Sequence, residues 1–321
     1  MKKVAVGIAV AVFVLAGVTL FAMKKRTPRS APLDPAPRAV VEHLRRDVGA
    51  LCAIGERNTV VPETLAAAAH HIERSLKDAG YQVERQTYTV MRDDVQADNV
   101  IAELRGSEEI VVIGAHYDAV DGTMGADDNA SGVAALLELA RRFAKTKPRR
   151  TLRFVAFANE EPPHFQSQDM GSWQYAKRCR DRNEKIVAMV SLETIGYYDD
   201  RPGSQQYPGP LAAFFPNTGN FIAFASNVGS RPLLNRAVKA FQSTTQFPIE
   251  SAALPEAVPG IGWSDQWSFW QFGWPAIMVT DTAPFRNPHY HRPSDQPDTL
   301  DYERLAHVTL GMEGVVRALA E

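Results

Sequence analysis

Four short stretches of this sequence end in side chains able to hold a metal ion or move a proton, and each follows an apolar run. IVVIGA leads into His116 and Asp118, RFVAFAN into Glu160 and Glu161, VAMVSL into Glu193, and AIMVTDT into the segment that carries His289 and His291. Imidazoles and carboxylates together suit divalent cations. Asp118, two residues after His116, shares its face of the chain and can accept from the ring nitrogen that a metal leaves free, fixing the tautomer. In GADDNASG, Asp127 stands at the mouth of the next helix, where its two oxygens can bridge two cations. Asp128, Asn129 and Ser131 there offer capping groups, and Gly132 permits close packing. Glu160 and Glu161 are adjacent and would repel unless a cation stabilised one of them, and successive strand residues face opposite ways. One can bind metal while the other serves as general base. Glu193 offers a third carboxylate, and His289 and His291 lie in a loop crossed by Pro288, Pro293 and Pro297.

Holding such groups together requires a scaffold of strands with their ends aligned. Helical spacing marks VVEHLRRDVGALCAI and PETLAAAAHHIERSLKDAG, and later SGVAALLELARRFAK, QDMGSWQYAKRCRD, SRPLLNRAVKAFQSTT, SDQWSFWQFG and YERLAHVTLGMEGVVRALAE. Strands are expected at YQVERQTYTV, DNVIAEL, EEIVVIGAHYD, RRTLRFVAFAN, EKIVAMVSLE, NFIAFASN and WPAIMVTDT, several with unbroken apolar runs typical of strands buried on both faces. Alternating strand and helix predict a three-layer α/β/α sandwich around a mostly parallel, mixed central sheet. In such sheets ligands gather beyond the carboxyl ends of the strands, which is where these residues fall. Phe165, Trp263, Trp267, Trp270 and Phe272 cluster near this chemistry, but their helical spacing favours plain core over a substrate pocket.

Outside this domain, the run Val4 to Ala22 is uncharged and flanked by Lys2, Lys3, Lys24, Lys25 and Arg26. It is longer than a signal-peptide core and meets lysines directly, so residues 1–26 are expected to be an uncleaved membrane anchor, with the domain exported. Residues 27–39, rich in proline, read as a tether, and 40–321 as the catalytic domain. With 35 Lys and Arg against 37 Asp and Glu, the chain has no basic field for nucleic acid. Cys52 and Cys179 are too few for a disulfide scaffold or thiolate cage, and could form one bridge or remain two buried thiols.

The blocks GAHYDAV, GADDNASG, FANEE, Gly171-Ser172 with Tyr175-Ala176, MVSLETIGYY, WSDQWSF and HYHRPSDQPDTL occur in the order of one family. The chain resembles the M28 zinc metallopeptidases, co-catalytic dizinc aminopeptidases with a phosphorylase/hydrolase-like α/β/α fold, over roughly residues 40–321. The resemblance implies one zinc held by His116 and Glu193, a second by Glu161 and His291, and Asp127 bridging. It implies Glu160 as general base, Asp118 as the partner of His116, and His289 as a neighbour only. Three departures stand out: Glu193 where many members carry aspartate, Gln266 where the usual block has histidine, and a longer loop, PPHFQSQDM, after the glutamate pair.

A dizinc aminopeptidase would activate a metal-bridging water through Glu160 and act on peptides with a free N-terminus. Same-fold alternatives are a single-zinc glutaminyl cyclase and a carboxypeptidase or dipeptidase. An inactive binding ectodomain is the reading from a different class.

Overall fold

Apolar runs with no polar alternation need cover on both sides, and strand β3 (Ser107–His116) shows how they obtain it. Val111, Ile113 and Ala115 face one core, while Ile110 and Val112 face another. Each fully buried aliphatic side chain of this kind contributes about 1.5–3 kcal/mol. The computed structural model describes residues 33–321. The strands around β3 are β1 (Val83–Val90), β2 (Val95–Leu104), β4 (Arg150–Phe157), β5 (Lys185–Glu193), β6 (Ile222–Ser226), β7 (Ile249–Ala253) and β8 (Ala276–Thr280). They form one sheet in the order β1-β2-β4-β3-β5-β8-β6-β7. Its centre, β4-β3-β5-β8, is parallel, whereas β1, β2 and the β8–β6 junction pair antiparallel and β6–β7 is parallel.

Helices α1 (Arg38–Cys52), α2 (Pro62–Asp78), α3 (Gly132–Phe143), α5 (Arg231–Thr244) and α7 (Tyr302–Ala320) pack into the larger core on one face. The helices α4 (Gly171–Asp181) and α6 (Gln266–Gln271) cover the other, where Tyr175, Cys179, Phe269 and Trp270 meet Phe157 and Met189. The expected three-layer α/β/α architecture is therefore present. Local signals set the helix limits: Pro62 opens α2 with Glu63 in its first turn, and Gly80, at φ +101°, lets the chain leave it. Asp301 caps α7 by accepting the Arg304 N–H at 3.0 Å.

Strand β7, IESAA, is absent from the expected elements. Its sequence is short and half polar because it is an edge strand, held only by β6. The expected anchor and residues 27–32 of the tether lie outside the described residues; 33–37 have no regular secondary structure, as a tether would, but Arg38 and Ala39 already belong to α1. Among the described residues no helix is long and apolar enough to cross a membrane. Cys52 and Cys179 are free, buried thiols belonging to opposite cores, which leaves no bridge between them.

Candidate metal centre

The parallel order of β4, β3, β5 and β8 brings four carboxyl ends to one edge of the sheet. His116 ends β3, Glu193 ends β5, Glu160 and Glu161 follow β4, and the loop bearing His291 follows β8. The chain turns sharply around these groups. Asn159 (φ 58°), Thr194 (φ 42°) and His291 (φ 55°) are left-handed without being glycine, a strained conformation that persists where the surroundings enforce it. Gly132 lets α3 approach β5 here, because a Cβ at that position would strike the Leu192 carbonyl.

Asp128 stands at the middle. Its Oδ1 lies 3.3 Å from His116 Nε2 and its Oδ2 3.1 Å from His291 Nε2. The same His116 nitrogen is 3.1 Å from Glu193 Oε2, and the same His291 nitrogen is 3.2 Å from Glu161 Oε2. Ligand atoms of His116, Asp128 and Glu161 all fall within 4.8 Å of one another. Glu160 stands further back, its Oε2 4.0 Å from His116 Nε2.

Tested against a metal, this donor set fits. Nε2 of His116, Nε2 of His291 and Oε1 of Glu161 are buried without a hydrogen bond of acceptable geometry, although oxygens crowd the two imidazoles. Buried polar atoms left in this state cost free energy unless a cation accepts them. The electrostatics agree. Burial disfavours a charged His116, yet Glu193, Asp118 and Asp128 raise it well above an ordinary imidazole. Burial likewise opposes a charged His291, yet Asp128 and Glu161 push it up to about 10. Burial would raise Asp128, but the two histidines hold it well below the usual carboxylate range. Burial and Asp128 push Glu161 up to about 8, and burial pushes Glu160 well above its usual range against the pull of His116. These opposing pulls mark a buried cluster of imidazoles and carboxylates whose charge a bound cation would balance.

Around the ligands, each orienting group has a definite partner. Asp118 faces His116 Nδ1 at 3.4 Å and accepts the backbone N–H of Glu160 at 3.1 Å and of Glu161 at 3.0 Å. One carboxylate therefore aims both the imidazole and the glutamate pair. Ser264 donates to Glu193 Oε2 at 2.6 Å. Gln266 touches none of the ligands; it donates to the Ile261 carbonyl at 3.0 Å. His289 is turned aside, with Nδ1 3.0 Å from Ser294 Oγ.

The sequence-based expectation that Asp127 bridges is corrected by the geometry. Its Oδ1 accepts the Gly196 N–H at 2.9 Å and its Oδ2 accepts the Asn287 side-chain amide at 2.7 Å, so both oxygens are taken up in holding neighbouring loops. The neighbouring residue, Asp128, holds the central place instead. Adjacent aspartates in one turn differ only in direction, which spacing alone does not encode.

Three further residues escaped the sequence reading. Asp295 accepts the N–H groups of Asp127 and Asp128. Arg57, fully buried, donates to the carbonyls of Tyr117, Gly55, Met124 and Gly125, tying down the loop between His116 and Asp128. Tyr290 stacks on His291 with ring centroids 3.8 Å apart. Its hydroxyl is pushed up by burial and by the charges of Asp128, Glu161, Glu193 and Glu160. Of the aromatic residues expected in the core, Trp270 is buried with its Nε1 donating to the Ala276 carbonyl at 3.0 Å, but Trp263 is 42% exposed and walls an open pocket.

The sequence profile of peptidase family M28 matches residues 99–316. An uncharacterized protein, YfbL, of Escherichia coli (strain K12) is 37% identical over 267 residues, covering 80% of each chain. A probable leucine aminopeptidase of Arthroderma otae is 27% identical over 285 residues, covering 82% of this chain and 68% of its own. Among solved structures, a zinc aminopeptidase from Bacillus subtilis superimposes with a TM-score of 0.69 at 15% identity, covering 89% of this chain and 95% of its own. A glutaminyl cyclase from Bacteroides thetaiotaomicron gives 0.67 at 16% identity, covering 89% and 99%, so the fold alone is shared by both chemistries. With a family match across most of the folded chain and a candidate metal-binding cluster at one sheet edge, the protein belongs to peptidase family M28 and is a zinc-dependent metallopeptidase.

Proposed function

We propose that the protein is an aminopeptidase working with two zinc ions on peptides that carry a free N-terminus. The observation that carries this reading is the division of one carboxylate between two ligand pairs: Asp128 turns Oδ1 toward His116 and Glu193, and Oδ2 toward His291 and Glu161. His116, Glu193 and Asp128 would hold one ion, and His291, Glu161 and Asp128 the other. Two such ions, when bound, polarise a carbonyl oxygen and bring the pKa of water toward neutrality.

The protein's own groups supply the rest. Glu160, buried and less closely engaged by the histidines than Glu161 or Glu193, takes a proton from the attacking water. The water oxygen bonds to the scissile carbonyl carbon, the carbon–nitrogen bond breaks, and Glu160 returns the proton to the departing amine. Asp118 keeps Glu160 aimed through the backbone N–H that it accepts. Tyr290, stacked on His291, is a candidate donor to the developing oxyanion. The surplus of carboxylates favours a cationic α-amino group and confines cleavage to the first peptide bond. Anchoring through residues 1–26, with the domain exported, belongs to the same proposal; a phosphatase that is active only after export, fused after Arg29 and showing no activity, would reject it.

The test is zinc titration of chelator-stripped full-length protein, with hydrolysis of aminoacyl p-nitroanilides followed in parallel. Activity should return up to two zinc equivalents, and N-acetylated substrates should be resistant. Full activity at one equivalent, with ammonia released from an N-terminal glutamine peptide, would replace this reading by a cyclase.

A further inference from the structure

Beside the candidate centre, on the sheet face that carries α6, lies an open pocket of about 850 Å³ including its mouth. The register across the strands fixes its floor. Glu193 on β5 pairs with Thr280 on β8, and Thr280 with Ala223 on β6. Two residues along, Met278 on β8 pairs with Ala225 on β6, and Ala225 with Ala252 on β7. Residues directly opposite one another in a sheet point to the same face, as do residues two apart on one strand, and all six line the pocket. The floor therefore starts at a candidate metal ligand and runs out over three alanines, with Ala223 two strand spacings, or about 10 Å of backbone, from Glu193.

Where the floor is small, the walls are large and aromatic. Trp263 and Phe285 stack with ring centroids 6.1 Å apart and planes 18° from parallel, and Tyr207 and Phe215 stack at 5.6 Å and 28°. All four rings line the pocket. Gly260, at φ +92°, lets its loop pass close to Phe285, because a Cβ there would lie 3.1 Å from that ring. The polar groups of the lining are already engaged. Tyr207 donates its hydroxyl to the Pro216 carbonyl at 2.7 Å, and Thr280 Oγ1 accepts the Thr282 N–H at 2.8 Å. Gln205 donates Nε2 to the Gln206 carbonyl at 2.8 Å, while its Oε1 accepts from Arg286 Nε at 2.8 Å. Glu250, on the edge strand, likewise has an interaction of its own. A polar side chain entering this space would lose its water without a ready partner. An aromatic ring buries about 150–250 Å² and gains from contact with other rings in addition to its burial, a contribution that an aliphatic side chain lacks.

We infer that this pocket receives the first side chain of the substrate and selects an aromatic one over an aliphatic one, with Ala223 as the residue whose small size admits the ring. The inference rests on the aminopeptidase reading for which residue enters the pocket, and on the aromatic walls and alanine floor for the selectivity. Ring contacts of this kind correspond to a preference of roughly fivefold for phenylalanine over leucine.

Two measurements on the zinc-loaded full-length protein test it. Calorimetry with L-phenylalaninol, L-leucinol and L-alaninol, which lack a scissile bond, reads the pocket, and phenylalanine and leucine p-nitroanilides read turnover. Wild type should bind phenylalaninol about fivefold more tightly than leucinol, and show a similar ratio in kcat/KM. Trp263→Ala, a change at an exposed wall, should bring both ratios close to one. Ala223→Leu should fill the slot and invert the order of phenylalaninol and alaninol, the first being the tighter in wild type and the weaker in the variant. Zinc content and melting temperature show that each variant is folded. Phenylalaninol and leucinol bound equally by wild type, or a phenylalaninol preference that survives both substitutions, overturns the inference even if leucine p-nitroanilide is cleaved well. A phenylalaninol preference that both substitutions remove, with neither anilide hydrolysed, sustains the pocket's selectivity and overturns the aminopeptidase reading instead.

Discussion

Asp295 holds Asp128 by its backbone: one carboxylate oxygen accepts the Asp128 N–H at 3.1 Å while the other accepts the Asp127 N–H at 2.9 Å. Because Asp295 lies four residues beyond His291, this contact locks the histidine loop onto the turn that carries the central carboxylate. Asp295→Asn places an amide donor against one of two N–H donors. Zinc affinity should fall about 10- to 100-fold, as when groups that orient metal ligands are lost. Competition with a fluorescent chelator measures it; unchanged affinity would remove Asp295 from the metal centre's support.

The two adjacent aspartates should separate by kind of defect. Asp128→Ala should lose zinc from both sides of the cluster and abolish peptidase activity while the apo protein stays folded. Asp127→Asn leaves the Asn287 amide or the Gly196 N–H without its acceptor, at a cost of about 1–3 kcal/mol. Elemental analysis and thermal melts on both variants check the assignment, and a reversed pattern would return the bridging role to Asp127.

Glu160→Gln keeps size and burial but removes the proton acceptor. Zinc content should match wild type, with kcat lower by about 10²–10⁴-fold. A variant retaining wild-type kcat would exclude Glu160 as the base.

A pH effect on stability is expected far from the metal. Burial alone would raise Glu184, but Arg153 holds it with hydrogen bonds of 2.5 and 3.0 Å and keeps its carboxyl below the usual value of 4.5. A folded-state value below the unfolded one gives stability that is present above pH 4.5 and lost as pH falls through the depressed value. Glu184→Gln should therefore melt below wild type at pH 7, and the gap should narrow below about pH 4. A gap independent of pH would show that packing, not charge, accounts for the difference.

Much of this architecture was legible because strong signals coincide. Unbroken apolar runs such as IVVIGA mark strands covered on both faces, and the ligand types appear where those runs stop. His116, Glu160, Glu161, Glu193 and His291 are gathered at one sheet edge as their positions after strands suggest. Asp127 was misplaced because the direction of two neighbouring carboxylates depends on contacts to Gly196 and Asn287, which are distant in sequence. Strand β7 was missed since an edge strand needs neither apolar continuity nor strict alternation. Trp263 and Trp270 carry the same sequence signal, yet only one belongs to the core; which one depends on where the loop before α6 crosses the sheet.

The position of β8 in the sheet has a consequence for how the protein matures. It is the last of the sheet's eight strands in sequence order, yet it sits between β5 and β6, and the loop after it delivers His291. The centre is therefore incomplete until the chain's final strand has slotted into an interior position. A chain cut before β8 would lack His291 and the contact that it makes with Glu161. A bound cation would tie together strands from both halves of the sequence and add about 2.7 kcal/mol at a free concentration 100 times its Kd.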